Sequence, residues 1–138
     1  MKKKSFRVSG FSLVEIITVT ILIGILARLA VPRYFILVEK GRSAEARNVL
    51  GAIREAEIAY FFEYNTYSFS FTQLQLPTLP GICNNPHYYF SYQVGPHASG
   101  FLVTATRCTA GTSKQQSIFA YFLTLDANGI MGGTSQML

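Results

Sequence analysis

Acidic and imidazole side chains are scarce in this chain: 138 residues hold seven Asp/Glu and two His. Beyond the first apolar run the acids are Glu39, Glu45, Glu55, Glu57, Glu63 and Asp126, and only Asp126 lies off one long helical pattern. His87 and His97 have no recognisable metal or catalytic-triad spacing and read as loop residues. Pairing Cys83 with a histidine as a nucleophile has no further support. No phosphate-cradling glycine motif is present. An enzyme is therefore not expected, nor a cofactor. Charged residues are only 14% of the chain, against about 25% in a typical soluble domain. After Arg54 the only cations are Arg107 and Lys114, too few for a basic groove, so a nucleic-acid partner is not expected. There is no internal repeat, and no linker that would set off another folded domain.

What the sequence does have is one membrane-length apolar run behind a basic leader. Lys2, Lys3, Lys4 and Arg7 precede Gly10, and the run extends from Phe11 to Ala27 with one charge, Glu15. Removing residues 1–10 leaves eight basic and seven acidic side chains, so the pI near 9.4 is largely a property of the leader. By the positive-inside rule the leader stays in the cytoplasm and the rest lies outside. An ordinary secretory signal places its apolar region before the cut, unlike this leader. Cleavage after Ala30 would put Arg28 where a small residue is needed.

A carboxylate in such a run is a functional candidate whose partner should be named. Phe11 and Glu15 are spaced i, i+4 and share a helix face. An α-amine freed at Phe11 by a cut after Gly10 could meet Glu15 of its own chain or of a neighbour. That pairing would set the stagger between helices, as a buried polar residue sets coiled-coil register. The plainer reading, a carboxylate complementing the helix dipole, also stands.

The leader, Gly10, Phe11, Ser12-Leu13-Val14, Glu15 and the apolar tail together resemble the prepilin signal of type IV pilins and type II secretion pseudopilins. The resemblance runs from Gly10 to about Tyr67 and is most specific at its start. It implies cleavage at Gly10–Phe11, N-methylation of Phe11, and an assembly role for Glu15. Gly24 and Pro32 fall where many such proteins carry helix-weakening residues. The implied partners are copies of the chain and related pilins, a prepilin peptidase/methyltransferase, and an inner-membrane assembly platform with its motor. Arg28 departs from the small apolar residues usual at its place. It could snorkel to the outer interface, but inside a packed filament core it would need a carboxylate or solvent partner.

Gly24 lowers helix propensity by about 1 kcal/mol relative to Ala, and Pro32 removes a backbone donor. Gly24–Pro32 is thus the easiest stretch to kink or unwind. Two readings stand: a segment that melts on assembly, and a proline kink in a stable helix. From Tyr34 to Phe62 the pattern turns amphipathic. Ala46, Val49, Leu50, Ile53, Ala56 and Tyr60 form one stripe. Arg42, Glu45, Arg47, Arg54, Glu55 and Glu57 occupy the remainder, with Arg42 and Glu45 able to pair at i, i+3. Tyr64-Asn65-Thr66-Tyr67-Ser68 ends the helix. Strands are expected at Tyr88–Val94, Phe101–Arg107 and Ile118–Leu125, with Gly95–Gly100 as a loop and a short return at Ile130-Met131. The aromatics from Tyr60 to Phe71 and from Tyr88 to Tyr92 are expected to fill the space between helix and sheet. Cys83 and Cys108 both lie in the exported part, where an oxidising compartment permits a disulfide. Asp126-Ala127-Asn128-Gly129 reads as a turn. Some major pseudopilins bind calcium in this region, but one carboxylate is a poor donor set.

The expected fold is α+β and type IV pilin-like, one long N-terminal helix on a small antiparallel sheet. Its expected divisions are a leader (1–10), a transmembrane and filament-core helix (11–31) and a head (32–138). The expected function is a structural filament subunit, of a pilus or of a secretion pseudopilus. It would be held first as a single-pass inner-membrane protein with its head outside the cytoplasm. A DNA-uptake filament and an uncleaved signal-anchored periplasmic binding protein are the alternatives.

Overall fold

The computed structural model describes residues 10–114, 117 and 119–134. Residues 1–9, most of the expected leader, lie outside the described residues, as does Ile118. The order is α1 (Leu13–Tyr64), β1 (Phe90–His97), β2 (Gly100–Arg107), β3 (Phe122–Asp126) and β4 (Met131–Gly133). The chain divides into two compact units, Met1–Val38 and Glu39–Leu138.

Within the first unit α1 begins after Ser12, whose carbonyl accepts the Ile16 amide at 3.3 Å. Glu15 sits in the first turn, where a negative charge complements the helix dipole. The helix continues through Gly24 and Pro32. It ends in the second unit at Tyr64, where Asn65 adopts φ 55° and returns its amide to the Phe61 carbonyl at 2.8 Å. This is a left-handed C-terminal cap, which Asn tolerates well.

The second unit carries a four-stranded antiparallel sheet in the order β1-β2-β3-β4. Its core joins Ala46, Leu50 and Ile53 of α1 to Phe90, Tyr92, Phe101, Val103, Ala105, Leu123 and Leu125. The helix stripe follows the i, i+3/i+4 rule and the strand residues alternate, as burying one face requires. The expected aromatic core is correct in part. Phe90 and Tyr92 are fully buried, and Tyr60, Tyr67, Phe71, Tyr88 and Tyr89 pack around the core. Phe62, Tyr64 and Phe69 are exposed.

Strand limits differ from the sequence expectation. β1 extends to His97, and only Ala98 and Ser99 separate its paired end from Gly100. Pro96 is tolerated because β1 is an edge strand, where a missing ladder donor costs little. Gly100 has φ 115°, and a Cβ there would lie 2.6 Å from the Tyr67 ring. Tyr88 and Tyr89 precede the strand: the Tyr88 amide closes a turn onto the Asn85 carbonyl, and the Tyr89 amide donates to Glu45 Oε1 at 3.2 Å. β3 starts at Phe122, four residues later than expected. Before it, the Tyr121 carbonyl accepts the Arg107 amide at 2.9 Å. The short return, expected to start at Ile130-Met131, runs over Met131–Gly133.

Candidate assembly surface and the buried polar contacts of the head

In the first unit every residue from Gly10 to Leu37 is exposed. Among the described residues, α1 is the one helix long and apolar enough to cross a membrane. Phe11 is 80% exposed and Leu29 68%. An apolar surface this extensive marks contact with lipid or protein. Its few polar groups divide into two kinds. Thr18 and Thr20 donate their hydroxyls to the carbonyls of Val14 and Ile17 at 2.8 and 2.9 Å, so their polar groups are satisfied within the helix. Glu15, Arg28 and Arg33 have no hydrogen-bond or ion-pair partner among the described residues. Gly24 has open space around it. Gly10, Phe11, Glu15, Gly24 and Pro32 thus all lie in one exposed unit, strung along the helix rather than gathered into a pocket.

The second unit holds contacts that the sequence reading missed. Glu39 is 2% exposed. Its Oε1 accepts from Arg107 Nε and from the Tyr121 hydroxyl at 3.1 Å, and its Oε2 accepts from Arg42 at 2.8 Å. Burial acts to raise the Glu39 pKa. The hydrogen bond and charge of Arg107, with the hydrogen bonds from Arg42 and Tyr121, outweigh it and hold the carboxyl below its ordinary value. Arg107 also donates to the Tyr89 carbonyl at 2.9 Å. Arg42, Arg107 and Lys114 all approach the Tyr89 ring, within 4.6–5.3 Å of its centroid, a range in which cations are attracted to the aromatic face. Burial, with the charge and hydrogen bond of Glu39, pushes the Tyr121 hydroxyl up; burial and then Glu45 push Tyr92 up.

Arg42 pairs with Glu39, and Glu45 accepts the Tyr89 amide. One expectation is corrected here. Glu57 is fully buried rather than solvated, and accepts the Ser68 and Phe69 amides at 3.0 and 3.1 Å. Residue 69 has φ 55°, an unusual conformation for Phe held in part by that carboxylate. A signal for both acids was present. Glu39, Ser43, Ala46, Leu50, Ile53 and Glu57 repeat at four- and three-residue steps, and all are buried. The period-2 count Phe101, Val103, Ala105 likewise points Arg107 inward.

Cys83 and Cys108 form a disulfide with Cα atoms 5.6 Å apart, joining the segment before β1 to the end of β2. At Asp126, Oδ1 accepts the Ile130 amide at 2.7 Å, and the Asp126 carbonyl accepts the Gly129 amide. That carboxylate organises the β3–β4 turn, and no cluster of metal-ligating side chains occurs among the described residues. His87 and His97 are exposed loop and strand-end residues. The His97 imidazole contacts the Ser99 hydroxyl at 2.9 Å.

One long helix and a small antiparallel meander define an α+β, type IV pilin-like fold. No family model matches the chain. Over 62 residues it is 36% identical to the type IV major pilin protein PilA of Myxococcus xanthus (strain DK1622), covering 45% of this chain and 28% of that protein. The chain thus aligns with little more than a quarter of that relative's length. It resembles type IV pilins in sequence as well as in fold, and the similarity points to a structural rather than an enzymatic protein.

Proposed function

We propose that the chain is the structural subunit of a type IV pilus, polymerised through its apolar N-terminal helix. The observation that carries this reading is a helix exposed along its whole apolar length in a protein with a pilin-like head. Such a surface needs lipid before assembly and neighbouring subunits after it. A prepilin peptidase cuts between Gly10 and Phe11 and methylates the new N-terminus. Glu15 then meets a neighbour's N-terminal amine and sets the stagger between subunits. The head stays outside the cytoplasm, and a separate assembly platform and motor drive growth. The Gly24–Pro32 stretch yields first if the helix must lengthen on leaving lipid. The relative's description as a major pilin favours a pilus over a secretion pseudopilus. Arg107, one of two cations after Arg54, is buried against Glu39, which weighs against capture of DNA.

The decisive test is the mass of the mature N-terminal peptide from membranes of the host cell. The expected peptide begins at Phe11 and carries one added methyl. An intact peptide spanning Gly10–Phe11, in cells with an active prepilin peptidase, would make the chain a signal-anchored protein instead. Loss of surface fibres on deletion identifies the pilus. Loss of protein secretion with fibres intact identifies the pseudopilus.

A further inference from the structure

We infer that the outer face of the second half of α1 is a docking surface for the helix of another parallel copy, with Glu55 and Glu63 receiving that copy's Arg33 and Lys40. The inference rests on the filament reading above and concerns a neighbour other than the one assigned to Glu15. Ala44, Asn48, Ala52, Glu55, Ala59 and Phe62 recur at three- and four-residue steps, and every one is exposed. The row lies about half a turn from buried Leu50, Ile53 and Glu57, and so faces away from the core. A helix side turned to water normally carries many charges. This one carries alanines and Phe62, which is 83% exposed, and its single charge is Glu55. Glu55 has no hydrogen-bond or ion-pair partner among the described residues. Glu63 is exposed beside Phe62, and its hydrogen bond with the Tyr64 hydroxyl leaves acceptor sites open on the carboxylate.

The complementary surface lies on the same helix. Arg33 and Lys40 are exposed and have no hydrogen-bond or ion-pair partner for their side chains among the described residues. They are seven residues apart, about two turns, and so share a face, to which Leu26, Leu29 and Leu37 also belong. Glu55 and Glu63 are eight residues apart. Two parallel helices offset by twenty-two residues bring Arg33 level with Glu55, and Lys40 within one residue of Glu63. Arg28 offers no such double match, since the residues seven and eight beyond it are Phe35 and Ile36. One exposed ion pair adds little by itself. Two pairs enclosed by leucine and alanine surfaces fix the register and reject offsets that bring like charges together. Each copy carries both surfaces, so the contact is heterologous and can repeat without closing. An antiparallel pair would satisfy the same charges, but chains inserted with all heads on one side of a membrane cannot form it.

The test keeps all four charges in place and puts cysteines beside them. In the full chain expressed in its host, Leu29→Cys with Ala52→Cys places thiols beside the predicted contact. Leu29→Cys with Ala59→Cys places them about two turns out of register. The native cysteines are joined to each other and do not compete. Purified fibres are treated with a short bis-maleimide and run on a denaturing gel. The first pair is expected to give a ladder of dimers, trimers and longer products, since each copy offers one thiol to each of two neighbours. The second pair is expected to give none. In parallel, Glu55→Arg is expected to lower fibre yield at least roughly tenfold, because it sets like charges against each other, and adding Arg33→Glu to it is expected to restore most of the yield. No ladder from the first pair, a ladder from the second as strong as from the first, or full fibre yield from Glu55→Arg overturns the contact while leaving the filament reading intact. Complete absence of the unaltered chain from fibres overturns both.

Discussion

Glu39 and Arg107 lie on elements 68 residues apart in sequence, and each is nearly fully buried. Burying two charges is expensive, so removing one partner costs more than removing both. Arg107→Met is expected to destabilise the head by about 3–5 kcal/mol, and the double change Glu39→Met/Arg107→Met by much less. Chemical denaturation of the four members of this cycle checks both values. The pH dependence follows from the depressed Glu39 pKa. The carboxylate's contribution is complete above its ordinary value near 4.5 and is lost as pH falls through its lower folded-state value. Acid melting curves should therefore be shallower below that pH in Glu39→Gln, which has no carboxylate to protonate at that position. At the alkaline end the raised Tyr92 and Tyr121 act in the opposite sense. Their contribution is intact below about pH 10 and declines as pH rises toward their folded-state values.

Among the elements, the β1–β2 hairpin has the tightest requirement. Gly100 combines a positive φ with a Cβ direction blocked by Tyr67, and Tyr67 also stacks on Phe61 and meets Phe101 edge-on. Gly100→Val should cost more than about 2 kcal/mol, because it strains the backbone and displaces a ring shared with the helix end. Thermal unfolding of the head measures it. The helix was legible in the sequence almost to the residue, since its apolar run, amphipathic continuation and Asn65 stop are all local signals. The disulfide was legible from cysteine count and compartment. The strand ends were not. Pro96 looked like a loop because its penalty depends on whether the strand is an edge, and that is a tertiary fact. Glu57 was placed on the charged remainder of the helix because charge usually marks the outside, and Glu39 and Arg107 were given no buried role. Their periodicity agreed with burial, but the partners that make burial tolerable come from distant parts of the chain. At the candidate assembly surface, the sequence supplied the identities of Gly10, Phe11 and Glu15, and the helix supplied their common exposure.

At the scale of the molecule, the two units differ in what they need. The second, Glu39–Leu138, contains the hydrophobic core, the sheet and the disulfide. The first has no buried side chain from Gly10 to Leu37. A chain lacking residues 1–38 is accordingly expected to be soluble and monomeric, with a cooperative thermal transition. The full chain should need detergent or its own polymer to remain dispersed. Size-exclusion chromatography with light scattering distinguishes the two outcomes, and aggregation of the truncated chain would show that its head depends on the missing helix.

Thr18 and Thr20 turn their hydroxyls onto their own helix. They ask nothing of what surrounds them, so lipid tails and the side chains of other subunits are nearly equivalent solvents for that stretch. A stretch with so little polar preference can cross from one solvent to the other and back again. On the filament reading, the same subunit could then be withdrawn from a dismantled fibre, stored and used again, with no chemical step needed to reset it.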